Sequence, residues 1–162
     1  MAWSKDILKK LVEGDLDLQA LLELQRAPKD DERFDMVLRI EQERVPWSDK
    51  ILLVLQEHLY IVEKPNGDRI VKCTCGHEFG VYTENWKEKA LVYVLDTEEK
   101  LEEVYRGPRK PDTEWFELRE YYCPGCGTQL EVESVIPGYP PVFNFLPDFE
   151  AWEERRKLLN LE

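Results

Sequence analysis

Apolar positions recur every three to four residues up to about residue 45, and the period then changes. Ser4 can cap a first short helix with Ile7, Leu8, Leu11 and Val12 on one face and Gly14 as its stop. Asp15 or Asp17 can open a second, carrying Leu18, Leu21 and Leu22 and broken by Pro28. Asp30 or Asp31 can cap a third, with Phe34, Val37, Leu38 and Glu41 and with Pro46 beyond its end. None of these helices buries enough by itself, so each must pack on something else.

From Ile51 the pattern is that of strands. Residues 51–55 are a continuous apolar run, and 58–63 alternate, which places His58 in an apolar strand as a packed histidine rather than a catalyst. Pro65-Asn66-Gly67-Asp68 is a turn, because Pro presets its backbone angle and Gly67 accepts positive φ. Residues 69–72 return as a strand that delivers Cys73.

Residues 90–95 form another strand candidate, and Asp96-Thr97-Glu98-Glu99 reads as a capping box opening a helix that buries Leu101 and Val104. After a proline-containing loop over 107–112, residues 115–122 are strand-like and deliver Cys123, and 129–136 lead away. Pro137-Gly138-Tyr139-Pro140-Pro141 suits neither helix nor central strand. Asp148 can cap a last helix holding Phe149, Trp152, Arg156 and Leu159. The expected fold is α+β: a zinc-ribbon-like antiparallel β core with N-terminal helices and a C-terminal aromatic tail and helix. Three segments follow: a helical arm (1–48), a zinc-binding β domain (49–136), and a proline/aromatic tail with the C-terminal helix (137–162).

The cysteines change the picture most. Cys73-Thr74-Cys75-Gly76-His77 and Cys123-Pro124-Gly125-Cys126-Gly127 are two tight pairs far apart in the chain, each at a strand end. Zinc takes four ligands at tetrahedral corners, and two short chelating turns supply two each, which leaves no open coordination position. Cys73, Cys75, Cys123 and Cys126 are therefore the expected metal ligands, with zinc as the metal. Iron in the same thiolate set stays open, and a redox dithiol does not explain two pairs. His77 is a spare ligand, an outer neighbour of the metal, or a packing residue. Four thiolates on Zn2+ carry a formal charge of −2; Lys72 and Arg119 can offset it or can be ordinary strand-surface residues.

Composition excludes several classes. The formal net charge is −12, from 22 basic and 34 acidic residues. That opposes a nucleic-acid reader, which needs a basic stripe, and an anionic membrane surface. No apolar stretch is long enough to cross a membrane, and no basic segment leads into an apolar run at Met1, so a cytoplasmic location with reduced thiols is expected. The doublets Glu98-Glu99, Glu102-Glu103 and Glu153-Glu154 do not face each other on a helix and read as solvated. No phosphate-cradling glycine loop, Gly-x-Ser-x-Gly or His-Glu-x-x-His is present. No catalytic or cofactor-binding residue is expected. The tail aromatics Tyr139, Phe143, Phe145, Phe149 and Trp152 either wrap the domain's own core or dock on a partner.

These residues carry a resemblance. Arg44-Val45-Pro46-Trp47, the Cys73-Cys75-His77-Phe79 cluster, Asn85-Trp86-Lys87, Tyr122-Cys123-Pro124 with Cys126-Gly127, and the Pro137-Tyr139-Pro140 segment resemble the acetone carboxylase gamma subunit family over nearly the whole chain. The resemblance implies a non-catalytic zinc-bearing clamp in an ATP-dependent complex that converts acetone and bicarbonate to acetoacetate. It implies large alpha and beta partner subunits in a two-fold heterohexamer, with ATP and catalytic Mn2+ held by those partners. A related small subunit serves acetophenone carboxylase, so the ketone stays open. The alternative is a free-standing zinc-ribbon protein-interaction module.

Overall fold

The computed structural model describes residues 3–28, 32–105, 107 and 110–158. Its first helix, α1 (Lys5–Glu13), starts where the Ser4 hydroxyl accepts the Ile7 amide and stops at Gly14, whose φ of 77° is the left-handed value that a side chain resists. In α2 (Leu18–Arg26) the cap is Asp17, 3.0 Å from the Ala20 amide nitrogen. The third helix, α3, spans Glu32–Arg44, and the expected caps Asp30 and Asp31 lie outside the described residues. The three helices pack on one another through Leu8, Leu24 and Ile40, one buried residue from each. That small cluster supplies the burial that no single helix achieves.

Four strands follow, β1 (Lys50–Gln56), β2 (Leu59–Glu63), β3 (Arg69–Cys73) and β4 (Glu78–Val81), in one antiparallel sheet ordered as in the chain. The second sheet is also antiparallel: β5 (Leu91–Leu95), β6 (Glu117–Tyr122) and β7 (Gln129–Val135). The architecture is thus α+β, with a helix at each end of the chain.

The expected alternation along 58–63 does not occur, because β2 is buried on both faces. Leu59 and Ile61 join Phe79, Trp86 and Tyr121 in the main core between the sheets. Tyr60 and Val62 join Ile51 and Ile70 against Leu38 of α3 and Trp47. His58 is not in the strand at all. Gln56 pairs with Leu59, so Glu57 and His58 are the turn, and His58 takes a φ of 67°. A two-residue hairpin turn calls for positive φ, which histidine tolerates better than bulky or branched residues.

Two elements went unforeseen: β4, a four-residue strand with Gly80 at φ 98°, and a 3-10 helix over Trp86–Lys89. Helix α4 (Glu98–Val104) is capped by Thr97, not Asp96. Lys100 therefore occupies the position a capping-box glutamate would hold, and it pairs back to Asp96 at 2.7 Å. Leu101 is buried with Leu95 and Leu118, but Val104 is exposed where this seven-residue helix ends. Trp115 and Phe116 precede β6 in a turn whose amides both donate to the Asp112 carbonyl, and both rings are exposed.

The last helix, α5 (Phe149–Leu158), starts with the Asp148 carboxylate accepting the Ala151 amide at 2.9 Å. Leu159 lies outside the described residues. Phe149 and Trp152 meet Tyr82 and Phe34 edge-on, and Arg156 clamps Asp35 of α3. The tail thus divides: its helix closes on the domain's own core, while Tyr139, Phe143 and Phe145 stay exposed. No described helix is long and apolar enough to cross a membrane.

Candidate metal centre

The ends of β3 and β6, one from each sheet, turn toward each other. In the first turn the Gly76 amide donates to the Cys73 carbonyl, and the Cys73 amide donates to the His77 carbonyl, each at 2.9 Å. Gly76 makes this possible with a φ of 98°. In the second turn the Gly127 amide donates to the Cys123 carbonyl at 2.8 Å, and the Cys123 amide to the Thr128 carbonyl at 2.9 Å. The two turns are pressed together: a Cβ on Gly125 would stand 3.0 Å from His77 Cβ and 3.4 Å from Cys75 Sγ.

The four sulfurs of Cys73, Cys75, Cys123 and Cys126 all lie within 4.8 Å of one another. Across the turns, Cys73 Sγ is 3.9 Å from Cys126 Sγ, and Cys75 Sγ is 3.7 Å from Cys123 Sγ. A tetrahedral metal with bonds of about 2.3 Å sets its sulfurs about 3.8 Å apart, so the donors fit such an ion. The same distances are far from a disulfide, which is about 2.05 Å long. Each pair offers one buried sulfur, Cys73 or Cys123, and one exposed, Cys75 or Cys126.

Local polarity differs across the set. Burial pushes the Cys73 and Cys123 thiols up, against backbone amides of Cys75 on the first and of Gly125 and Cys126 on the second. The Thr128 hydroxyl, 3.1 Å away, draws Cys126 down to about 7. Amides that face a sulfur favour its thiolate, the form a metal binds.

His77 lies outside the thiolate cluster; its ring packs edge-on against Phe79 at 4.9 Å. Lys72 and Arg119 are not ordinary strand-surface residues. Both are buried rather than on the strand surface, and both charges are matched by carboxylates. Lys72 donates to Asp49 at 2.6 Å, and Arg119 pairs with Glu117.

Two supports of the site were not apparent from the cysteine spacing. Trp47 Nε1 donates to the carbonyls of both Cys73 (3.2 Å) and Thr74 (3.0 Å), tying the chain after α3 to the first turn. Beneath the second sheet, Lys87 Nζ bridges Glu131 (2.6 Å) and Glu133 (2.8 Å), and the Tyr121 hydroxyl donates to Glu133 at 2.8 Å. Burial and the Glu133 carboxylate push Tyr121 up to about 12. Burial pushes Glu133 up as well, but Lys87 and Tyr121 outweigh it and leave this carboxyl below its ordinary range. The signal for this network was Asn85-Trp86-Lys87: Asn85 caps the 3-10 helix that carries Lys87 inward and also donates to the Pro141 carbonyl at 3.0 Å.

Comparison with known proteins matches this chain to carboxylase subunits. The family described as acetone carboxylase gamma subunit matches residues 45–157, from just before Trp47 through most of α5. The acetone carboxylase gamma subunit of Xanthobacter autotrophicus is 42% identical over 153 residues, covering 94% of this chain and 91% of that protein. The acetophenone carboxylase beta subunit of Aromatoleum aromaticum is 32% identical over 85 residues, covering 51% of this chain and 66% of that protein.

Proposed function

The chain belongs to the acetone carboxylase gamma subunit family, and from that premise we propose that it is a non-catalytic, zinc-braced subunit of a cytoplasmic ATP-dependent ketone carboxylase. The complex would join acetone and bicarbonate into acetoacetate, with ATP and Mn2+ held by large alpha and beta partners in a heterohexamer. In this reading residues 49–136 are the metal-braced body, and 1–48 and 137–162 are arms spread over it and the partners.

The observation that carries the reading is the placement of the four sulfurs. Cys73, Cys75, Cys123 and Cys126 converge from the strand ends of two different sheets to within 4.8 Å of one another, with the two cross-turn distances at 3.9 and 3.7 Å. With all four as ligands, the metal has no position for water or substrate, so its work is to hold two strand ends together. The chemistry of the donor set, thiolates with amides turned toward them, suits zinc.

The test is metal analysis of the purified chain together with Cys126→Ser. The expected result is one zinc per native chain, with metal content and melting temperature both lowered in the variant, since a structural zinc site contributes folding free energy directly. A variant with unchanged metal and melting would overturn the assignment, and so would a native chain free of metal. For the subunit role, two large chains should co-purify with this one from cells that make it, and the isolated chain should show no ATP turnover.

A further inference from the structure

Most exposed large apolar side chains fall between residues 91 and 146, in the second sheet, its loops and the tail. Edge strand β5 is their centre. Leu91, Val92 and Tyr93 are 57%, 45% and 39% exposed in succession, and among the described residues β5 pairs with no strand but β6. The register Tyr93–Glu120–Val132 puts Tyr93 and exposed Val132 on one face, which Leu91 shares by alternation.

Isolated sheet edges are normally blunted by proline, inward charges, bulges or a covering segment. The other described edges follow that rule. The Gln42 side chain of α3 accepts the Ile51 amide at the β1 edge, β4 is only four residues long, and Asn144 of the tail donates to Glu131 of β7. Strand β5 is covered only at its far end, where the Lys100 ammonium of α4 donates to the Val94 carbonyl at 2.9 Å and lies 5.8 Å from the Tyr93 ring centre; no such contact reaches Leu91 or Val92 among the described residues. Its sequence Leu-Val-Tyr-Val-Leu holds no proline or charge, and its pairing runs from Leu91–Tyr122 to Leu95–Leu118 without a shift.

We infer that the β5 edge, with the Leu91/Tyr93/Val132 face, is the docking surface for an extended apolar segment with basic flanks from a large partner subunit. This rests on the subunit reading above. Such a segment would add a fourth strand through main-chain hydrogen bonds, with its side chains against Leu91 and Tyr93. Charge selects the occupant. Helix α4, which follows β5 directly, carries four glutamates; Lys110 pairs with Glu98 and Glu102, which leaves Glu99 and Glu103 as the surplus acids there, and the whole chain is at −12. Two copies pairing edge to edge would bring two acidic α4 helices together, whereas lysines or arginines flanking a partner strand would be drawn to them.

The test uses the native complex isolated through a tag on this chain, beside the chain alone. Hydrogen exchange should show amides 91–95 at least tenfold better protected in the complex. Leu91→Lys/Tyr93→Lys should lower recovery of the large chains at least tenfold, while melting temperature and metal content stay at wild-type values. Val132→Lys, on the neighbouring strand, should lower it less. An intact complex with β5 amides as exchangeable as in the free chain would overturn the surface and leave the subunit reading standing. A dimer of the isolated chain dissolved by the double variant would overturn the choice of occupant. If the wild-type chain recovers no large partner, the subunit reading falls and this surface with it.

Discussion

Lys87 holds its ammonium where only about 1% of the side chain meets water, between Glu131 and Glu133. A buried ion pair is weak evidence for net stability, yet removing one partner is costly because it strands the opposite charge. Lys87→Met should therefore destabilise the chain by about 3–5 kcal/mol in denaturant unfolding. Adding Glu133→Gln should recover part of that loss, which a mere packing defect at residue 87 would not permit. Tyr121 gives the same cluster a pH signature. Its folded value, about 12, lies above the ordinary 10.0. The neutral phenol is thus favoured by folding, and the contribution is full below pH 10 and lost as pH rises through about 12. Glu133 works oppositely: its carboxyl is depressed, so its contribution is present above the ordinary 4.5 and lost as the pH falls. Tyr121→Phe should flatten the alkaline limb of the stability curve between pH 10 and about 12 and weaken the acid limb without removing it, since Lys87 still lowers Glu133; titration with circular dichroism at fixed denaturant reads both limbs.

Among elements, the two helices with a clear cap and a clear stop were legible, because Ser4, Gly14 and Asp17 act through local hydrogen bonds that need no tertiary context. Strands delivering Cys73 and Cys123 were legible from turn chemistry and apolar runs. What failed were features decided by neighbours. The burial of β2 on both faces depends on α3 and the second sheet, so no alternation exists to read. His58 was misplaced because a two-residue turn that uses histidine looks like strand continuation. Strand β4 is too short, and too marked by Gly80, to carry a period. The four thiolates were legible for the opposite reason: chelating pairs are written in local spacing. Glu131 and Glu133 share one face of β7 by their i, i+2 spacing, but Lys87 meets them only because the fold lays the 3-10 helix against that face, which no local spacing records. The tail illustrates both cases, with an Asp148 cap visible in sequence and a docking site that was not. Phe149 sits buried against Tyr82 with the Arg69 guanidinium 5.1 Å from its ring centre. Phe149→Ala should cost about 3–5 kcal/mol and release α5. Protease cleavage after residue 147 should accelerate in that variant and not in Phe145→Ala, whose ring is 55% exposed.

At the scale of the molecule, the two sheets meet at the four-cysteine cluster and along one aromatic run. Phe79 of the first sheet meets Trp86 edge-on, and Trp86 meets Tyr121 of the second, in the same core that contains Cys73 and Cys123. The N-terminal side has burial of its own. Leu8, Leu24 and Ile40 form one cluster, and Ile51, Tyr60, Val62 and Ile70 another, and neither includes a cysteine. If a metal braces the cluster as proposed, its removal leaves four thiols within 4.8 Å of one another without the bonds that offset their desolvation, and β6 without an anchor at its end. The second sheet then retains the aromatic contacts and the Leu95/Leu101/Leu118 cluster, a small core for three strands. Stability should thus be lost unevenly. On treatment with a strong chelator, amide exchange should rise first in β6 and β7 (117–122 and 129–135) and around Cys73, while β2 at 59–63 and α3 stay protected longer. Hydrogen exchange with and without chelator reads this directly, and restored zinc should restore protection. Equal acceleration through both sheets would mean that the metal holds up the whole chain rather than bracing one sheet on the other.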